Sequence, residues 1–109
     1  MKLTSIVLFG TLCLSAPLAL AETEHTLQTF EHAKAAITHG EMGHAPVLVE
    51  HAEAALTHAE AAQKAQSNPH MAEAITHLKA AIEHGKMGHA DIGTEHAKEA
   101  MRHIKMAGR

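Results

Sequence analysis

The chain has 109 residues, with twelve Asp and Glu, nine Lys and Arg, and a formal net charge of -3 when histidine is counted neutral. It has no Trp or Tyr, no basic patch and a single Cys, which argues against a nucleic-acid surface and a disulfide scaffold. Histidine is the outlier: twelve imidazoles make the charge steeply pH-dependent between about 6 and 7.

Residues 1–21 read as a cleavable signal peptide. Lys2 precedes an uncharged, mostly apolar run from Leu3 to Leu20, and Ala19-Leu20-Ala21 has the small-x-small pattern of a signal-peptidase site. The run is also just long enough to span a bilayer as an uncleaved anchor, but the Ala-x-Ala site favours cleavage. Cys13 follows Leu12 rather than a small residue, which speaks against a lipoprotein site. The expected mature chain, residues 22–109, is one exported domain, monomeric and free of the membrane. Without cysteine it has neither a disulfide nor a thiolate ligand.

A first helix is expected from Thr23 to His39, on a stripe of Thr26, Phe30, Ala33 and Ile37. Gly40 reads as its C-cap, able to take positive φ, and Glu41-Met42-Gly43 completes a tight connection. The second helix runs from about Ala45 to Ala65, with Pro46 in its first turn. Its stripe is Leu48, Ala52, Ala55, Ala59 and Ala62, flanked by Val49 and Leu56. Ser67-Asn68-Pro69 breaks the pattern, with Asn68 as N-cap of the third helix and Pro69 in its first turn. That helix carries Met71, Ile75, Leu78 and Ile82 to His84, and Gly85 ends it. A fourth starts near Asp91 as N-cap, carries Ala97, Ala100, Met101 and Ile104, and frays by Gly108.

Two copies of one unit make up the domain, one over about 25–64 and one over about 70–109. Ala35-Ala36-Ile37 matches Ala80-Ala81-Ile82, and Met42-Gly43-His44-Ala45 matches Met87-Gly88-His89-Ala90. Two duplicated helical hairpins predict an all-α, antiparallel four-helix bundle. Its Ala-rich core buries little area, so stability without ligand should be marginal.

The histidines are arranged about the two tips, His39-Gly-Glu-Met-Gly-His44 and His84-Gly-Lys-Met-Gly-His89. Stepping outward by heptads from the first tip gives His32 and His25 on one side, His51 and His58 on the other. The second gives His77 and His70, then His96 and His103. Histidines a heptad apart share a face but stand about 10.5 Å apart, too far to share an ion whose ligands sit about 2 Å away. Folding the hairpin pairs them across helices instead: His39/His44, His32/His51, His25/His58, His84/His89, His77/His96 and His70/His103. The predicted stripes put histidine at a c-type heptad position on the first and third helices and a g-type position on the second and fourth.

One helical histidine is usually a solvated surface residue; six mirror-symmetric rungs are not obtained that way. Glu73 lies on the face of His70 and His77, and Glu99 on that of His96 and His103, as carboxylate ligands. Gln28 and Ala54 stand there in the first half, which predicts weaker rungs. Such nitrogen and oxygen donors suit Cu(II) first, then Ni(II) and Zn(II). For Met42 and Met87, packing at the tip is favoured over ligation. Glu41 and Lys86 hold equivalent places with opposite charge, which marks neither as essential. No nucleophile–base pair points to an enzyme.

The run from Glu31 to His44, with Glu50 to Ala59 and their second-half counterparts, resembles the small metal-binding protein family. The resemblance covers essentially the whole mature chain, and the G-x-x-G-H tip with its heptad histidines carries it. It implies a periplasmic four-helix bundle that binds several divalent ions, copper foremost, for buffering or tolerance. All twelve histidines fall on the family's histidine positions. Met42 and Met87 depart from the charged residue expected at the tip. Alternatives are a chaperone handing copper to an accepting partner protein and a pH-responsive structural bundle.

Overall fold

The computed structural model describes residues 23–108, and the signal segment expected over 1–21 lies outside them. The described chain is four helices: α1 over residues 23–41, α2 over Ala45–Ala65, α3 over Pro69–Lys86 and α4 over Ala90–Ala107. α3 packs on both α2 and α4, while α2 and α4 barely touch. The helices thus lie at the corners of a square, and the two hairpins form opposite edges. Both tips lie at one end. No described helix is long and apolar enough to cross a membrane.

The start of α3 follows its sequence signal. Asn68 Oδ1 accepts from the backbone N–H of His70 at 2.8 Å and of Met71 at 3.3 Å, and Pro69 opens the first turn. At α4 the expectation of an Asp91 cap is corrected. His89 is the N-cap, without a side-chain cap bond, and Asp91 sits in the first turn. There its carboxylate faces the positive end of the helix dipole.

The tips also differ from expectation. Gly40 and Gly85 do not end their helices, which continue to residue 41 and Lys86. Positive φ falls instead on Gly43 (78°) and Gly88 (80°). The His44 N–H donates to the His39 carbonyl at 3.0 Å and the Gly43 N–H to the Gly40 carbonyl at 2.9 Å. This is a Schellman closure with glycine at the left-handed position. The second tip repeats it, His89 to His84 at 2.9 Å and Gly88 to Gly85 at 3.0 Å. The His44 carbonyl then accepts from the Leu48 N–H, so one histidine closes α1 and opens α2.

Gly40 and Gly85 are buried because the helices need the space. A Cβ on Gly85 would stand 2.5 Å from Val49 Cγ2 and 3.1 Å from Leu48 Cδ2. One on Gly40 would collide with Thr94 Oγ1 and come within 2.6 Å of Leu48 Cδ1. Leu48, fully buried, also fills the room beside Gly93, its equivalent in the second repeat. The duplication is broken there since two leucines cannot share one place near the bundle axis.

The rest of the seam is mostly alanine. α2 buries the residues predicted for it, and Ala97, Ala100, Met101 and Ile104 of α4 are buried as expected. In α1 the seam is Thr26, Thr29, Ala33, Ala36 and Gly40, of which Thr26 is only half-buried, with Phe30 and Ile37 half-buried beside it. In α3, Ala74 and Ala81 are buried, while Ile75 is half-buried. Met71, Leu78 and Ile82 of α3 and Ala33 of α1 are buried as expected, so the heptad frame shifts by one residue at alternate seam positions while part of each predicted stripe stays in the core. Between these few large side chains the seam is filled by small residues, and Phe30, Ile37 and Ile75 cover its edges.

Two exposed ion pairs cross between the hairpins at the tip end. Glu41 meets Lys98 at 3.3 Å and Lys86 meets Glu53 at 3.5 Å. The repeat maps one pair onto the other with the charges reversed. Pairing a first hairpin with a second is thus complementary, whereas two first hairpins would oppose carboxylates. Glu41 and Lys86, which the sequence marks as inessential, help specify this pairing.

Leu48→Ala should lower unfolding stability by about 2–5 kcal/mol in urea denaturation, because it empties the contact that three glycines surround. The exposed control Thr57→Ala should leave the midpoint nearly unchanged.

Candidate metal centre

Each of the twelve histidines directly precedes a seam position. Those neighbours are buried, save for the half-buried Thr26 and Ala90. With the seam at positions a and d, every histidine falls at g. This corrects the c-type position expected on the first and third helices, which followed from the predicted frame. In an antiparallel pair, the g flank of one helix faces the g flank of the other. All six rungs then form. The Nδ1 atoms are 3.0 Å apart in His25/His58, 3.5 Å in His32/His51 and 3.3 Å in His77/His96. In His39/His44, His84/His89 and His70/His103 the ring centroids approach to 6.1, 6.0 and 5.8 Å.

The nitrogen separations in His25/His58 and His77/His96 fit a shared ion, and that in His32/His51 lies just beyond the range. Two nitrogens bonded to one metal at about 2.0–2.1 Å, and about 90–110° apart in angle, lie about 2.9–3.4 Å from each other. Nine histidines are half-buried, and His44, His70 and His89 are exposed. The Nδ1 atoms of His39, His84 and His103 are buried without a hydrogen-bond partner. An orphaned buried acceptor costs about 1–3 kcal/mol, and a cation is a partner that would remove the cost.

A second set of ring contacts was not foreseen. His32 stacks on His58 and His39 on His51, at 5.8 and 5.4 Å with interplanar angles of 6° and 8°. His77/His103 and His84/His96 repeat this at 5.8 and 5.4 Å, with 10° and 12°. Heptad arithmetic alone could have found these diagonals, since a helical residue faces the gap between two partners as well as its own level.

The carboxylates separate. Among the described residues, one group of three, Glu73, His77 and His103, brings its ligand atoms within 4.8 Å of one another. It uses a diagonal pair rather than a rung. Glu99 is paired instead with Arg102, one turn along α4. Gln28 occupies the place of Glu73 in the first hairpin and can offer only a neutral amide oxygen. Met42 and Met87 are 53% and 55% exposed, so the tip covers only about half of each.

The sequence profile described as small metal-binding protein matches residues 1–107. The chain belongs to that family. No curated protein matches it. Family membership makes metal ions its ligands, and the imidazole rungs with Glu73 are the donors available to hold them.

Proton competition follows from the surroundings of the rings. Desolvation holds His58 below the usual histidine value of 6.5, and the neighbouring His25 and His32 lower it further. His96 is lowered likewise, by desolvation first and then by His77 and His84. Between the lowered folded value and 6.5 the unfolded chain binds more protons, so stability falls as pH drops through that window. With chelator present, the melting temperature should be lower at pH 5.5 than at pH 7.5. Replacing His58 and His96 together by Gln should flatten that difference.

Proposed function

We propose that the protein binds and buffers several divalent transition-metal ions in the periplasm, Cu(II) foremost, with Ni(II) and Zn(II) as further ligands. The observation that carries this reading is the pairing of all twelve histidines into six cross-helix rungs. Neutral imidazoles with open coordination positions suit these three metals, and Cu(II) stands highest in the affinity order. An even ladder suits sequestration better than catalysis, since no pocket among the described residues concentrates a nucleophile and a base. The expected signal segment supplies the periplasmic address. Binding adds a crosslink between the helices of a hairpin, so it stabilises the alanine-rich fold by mass action.

The Glu73, His77 and His103 group favours a second reading, delivery of copper from one privileged site to an accepting protein. The two readings differ in stoichiometry. Calorimetric titration with Cu(II) at pH 7.5 should give several equivalents, up to the six rungs, and far fewer at pH 5.5, where protons compete. A single tight equivalent would support delivery. No binding at either pH would sink both readings and leave a pH-responsive bundle. Saturating Cu(II) at pH 7.5 should also raise the melting temperature, and an unchanged curve would contradict the rung geometry.

A further inference from the structure

The rungs are not separate. His58 pairs with His25 across its rung and stacks on His32, and His51 joins His32 to His39 in the same way. In the second hairpin His103 joins His70 to His77, and His96 joins His77 to His84. Each hairpin therefore carries an unbroken zigzag of six imidazoles. The first runs His25, His58, His32, His51, His39, His44. Its counterpart ends in the exposed His89 at the second tip.

This changes what a bound ion can do. Rungs stand one heptad, about 10.5 Å, apart along the helices. An ion crossing that gap directly would have to leave both ligands. A diagonal pair lies midway, about 5 Å from each rung, and shares one histidine with each. At every step a bond forms to the next imidazole as the bond to the ring behind breaks, while one ring stays attached. No electron is transferred, and the ion never returns to solvent.

We propose that each hairpin is a track along which a divalent transition-metal ion migrates by ligand exchange between overlapping imidazole pairs. The proposal rests on the metal-binding reading above. The two tracks differ in where they lead. Both begin at an exposed tip ring, His44 or His89. Only the second passes the carboxylate group of Glu73, His77 and His103, so ions taken up at its tip collect there. Gln28 leaves the first track without that stop. Loading governs the motion. With every rung filled, each inner histidine is committed and each diagonal position lies between two cations, so movement stops. Sparse loading leaves the track open.

The test is NMR of the imidazole protons with Cu(II) well below one equivalent, at pH 7.5. Migration predicts paramagnetic broadening spread over all six rings of a hairpin, at a rate independent of protein concentration. Replacing the central rung, as His32→Gln with His51→Gln, should confine exchange between the outer rungs of the first hairpin to the concentration-dependent route. The second hairpin, unaltered, is the control for folding and binding. Broadening limited to one rung, or a spread that scales with protein concentration in the unaltered protein, would overturn the track while leaving metal binding intact. No broadening anywhere would overturn metal binding and the track together.

Discussion

The close approach of two helices within each hairpin is the constraint on which the rest depends. An imidazole at the flank of a helix reaches its partner only if the backbones are near. Alanine and glycine along the seam permit that approach, because nothing larger than a methyl group stands between most of the facing turns. The same choice limits stability, since alanine buries little apolar area. Leu48, Leu78, Met71 and Ile104 supply the few large buried side chains. The fold is therefore built for geometry at the flank more than for bulk in the core.

Register is the second requirement, and the tip fixes it. The backbone bond from His44 to His39 joins the two members of the innermost rung. Once that rung is set, heptad spacing carries the match outward to His32/His51 and His25/His58. One inserted residue in the connection would displace every rung on one side. The positive φ of Gly43 and Gly88 makes so short a closure possible without strain.

Duplication gives the bundle its pseudo-symmetry, and the departures from it carry information. Leu48 faces Gly93 since one side chain fills the room of two. Glu41–Lys98 and Lys86–Glu53 reverse their charges, which distinguishes the hairpins from each other. Hydrogen bonding to Glu41 and the charge of Glu95 raise the Lys98 pKa, as befits an ammonium between two carboxylates. Glu73 against Gln28 makes one hairpin richer in anionic donor than the other. The halves share a scaffold but are not interchangeable.

Much of this was legible in the sequence. The four helices, the cap at Asn68, the duplication and the six rungs follow from heptad spacing and the two tips, because these are local or symmetric properties of the chain. The seam of α1 and α3 was legible only in part, at Ala33, Met71, Leu78 and Ile82. Phe30 and Ile75 also marked the stripe, but close helix packing buries the smaller Ala36 and Ala74 and leaves these larger groups at the edge. Sequence pattern also put Gly40 at a helix end, whereas the space taken by Leu48 and Thr94 holds it inside. The sequence by itself determined which histidines stand level. Only the tertiary structure decided that Glu73 joins His77 and His103 and that Arg102 takes Glu99. Those outcomes depend on side-chain reach across packed helices, which residue spacing does not encode.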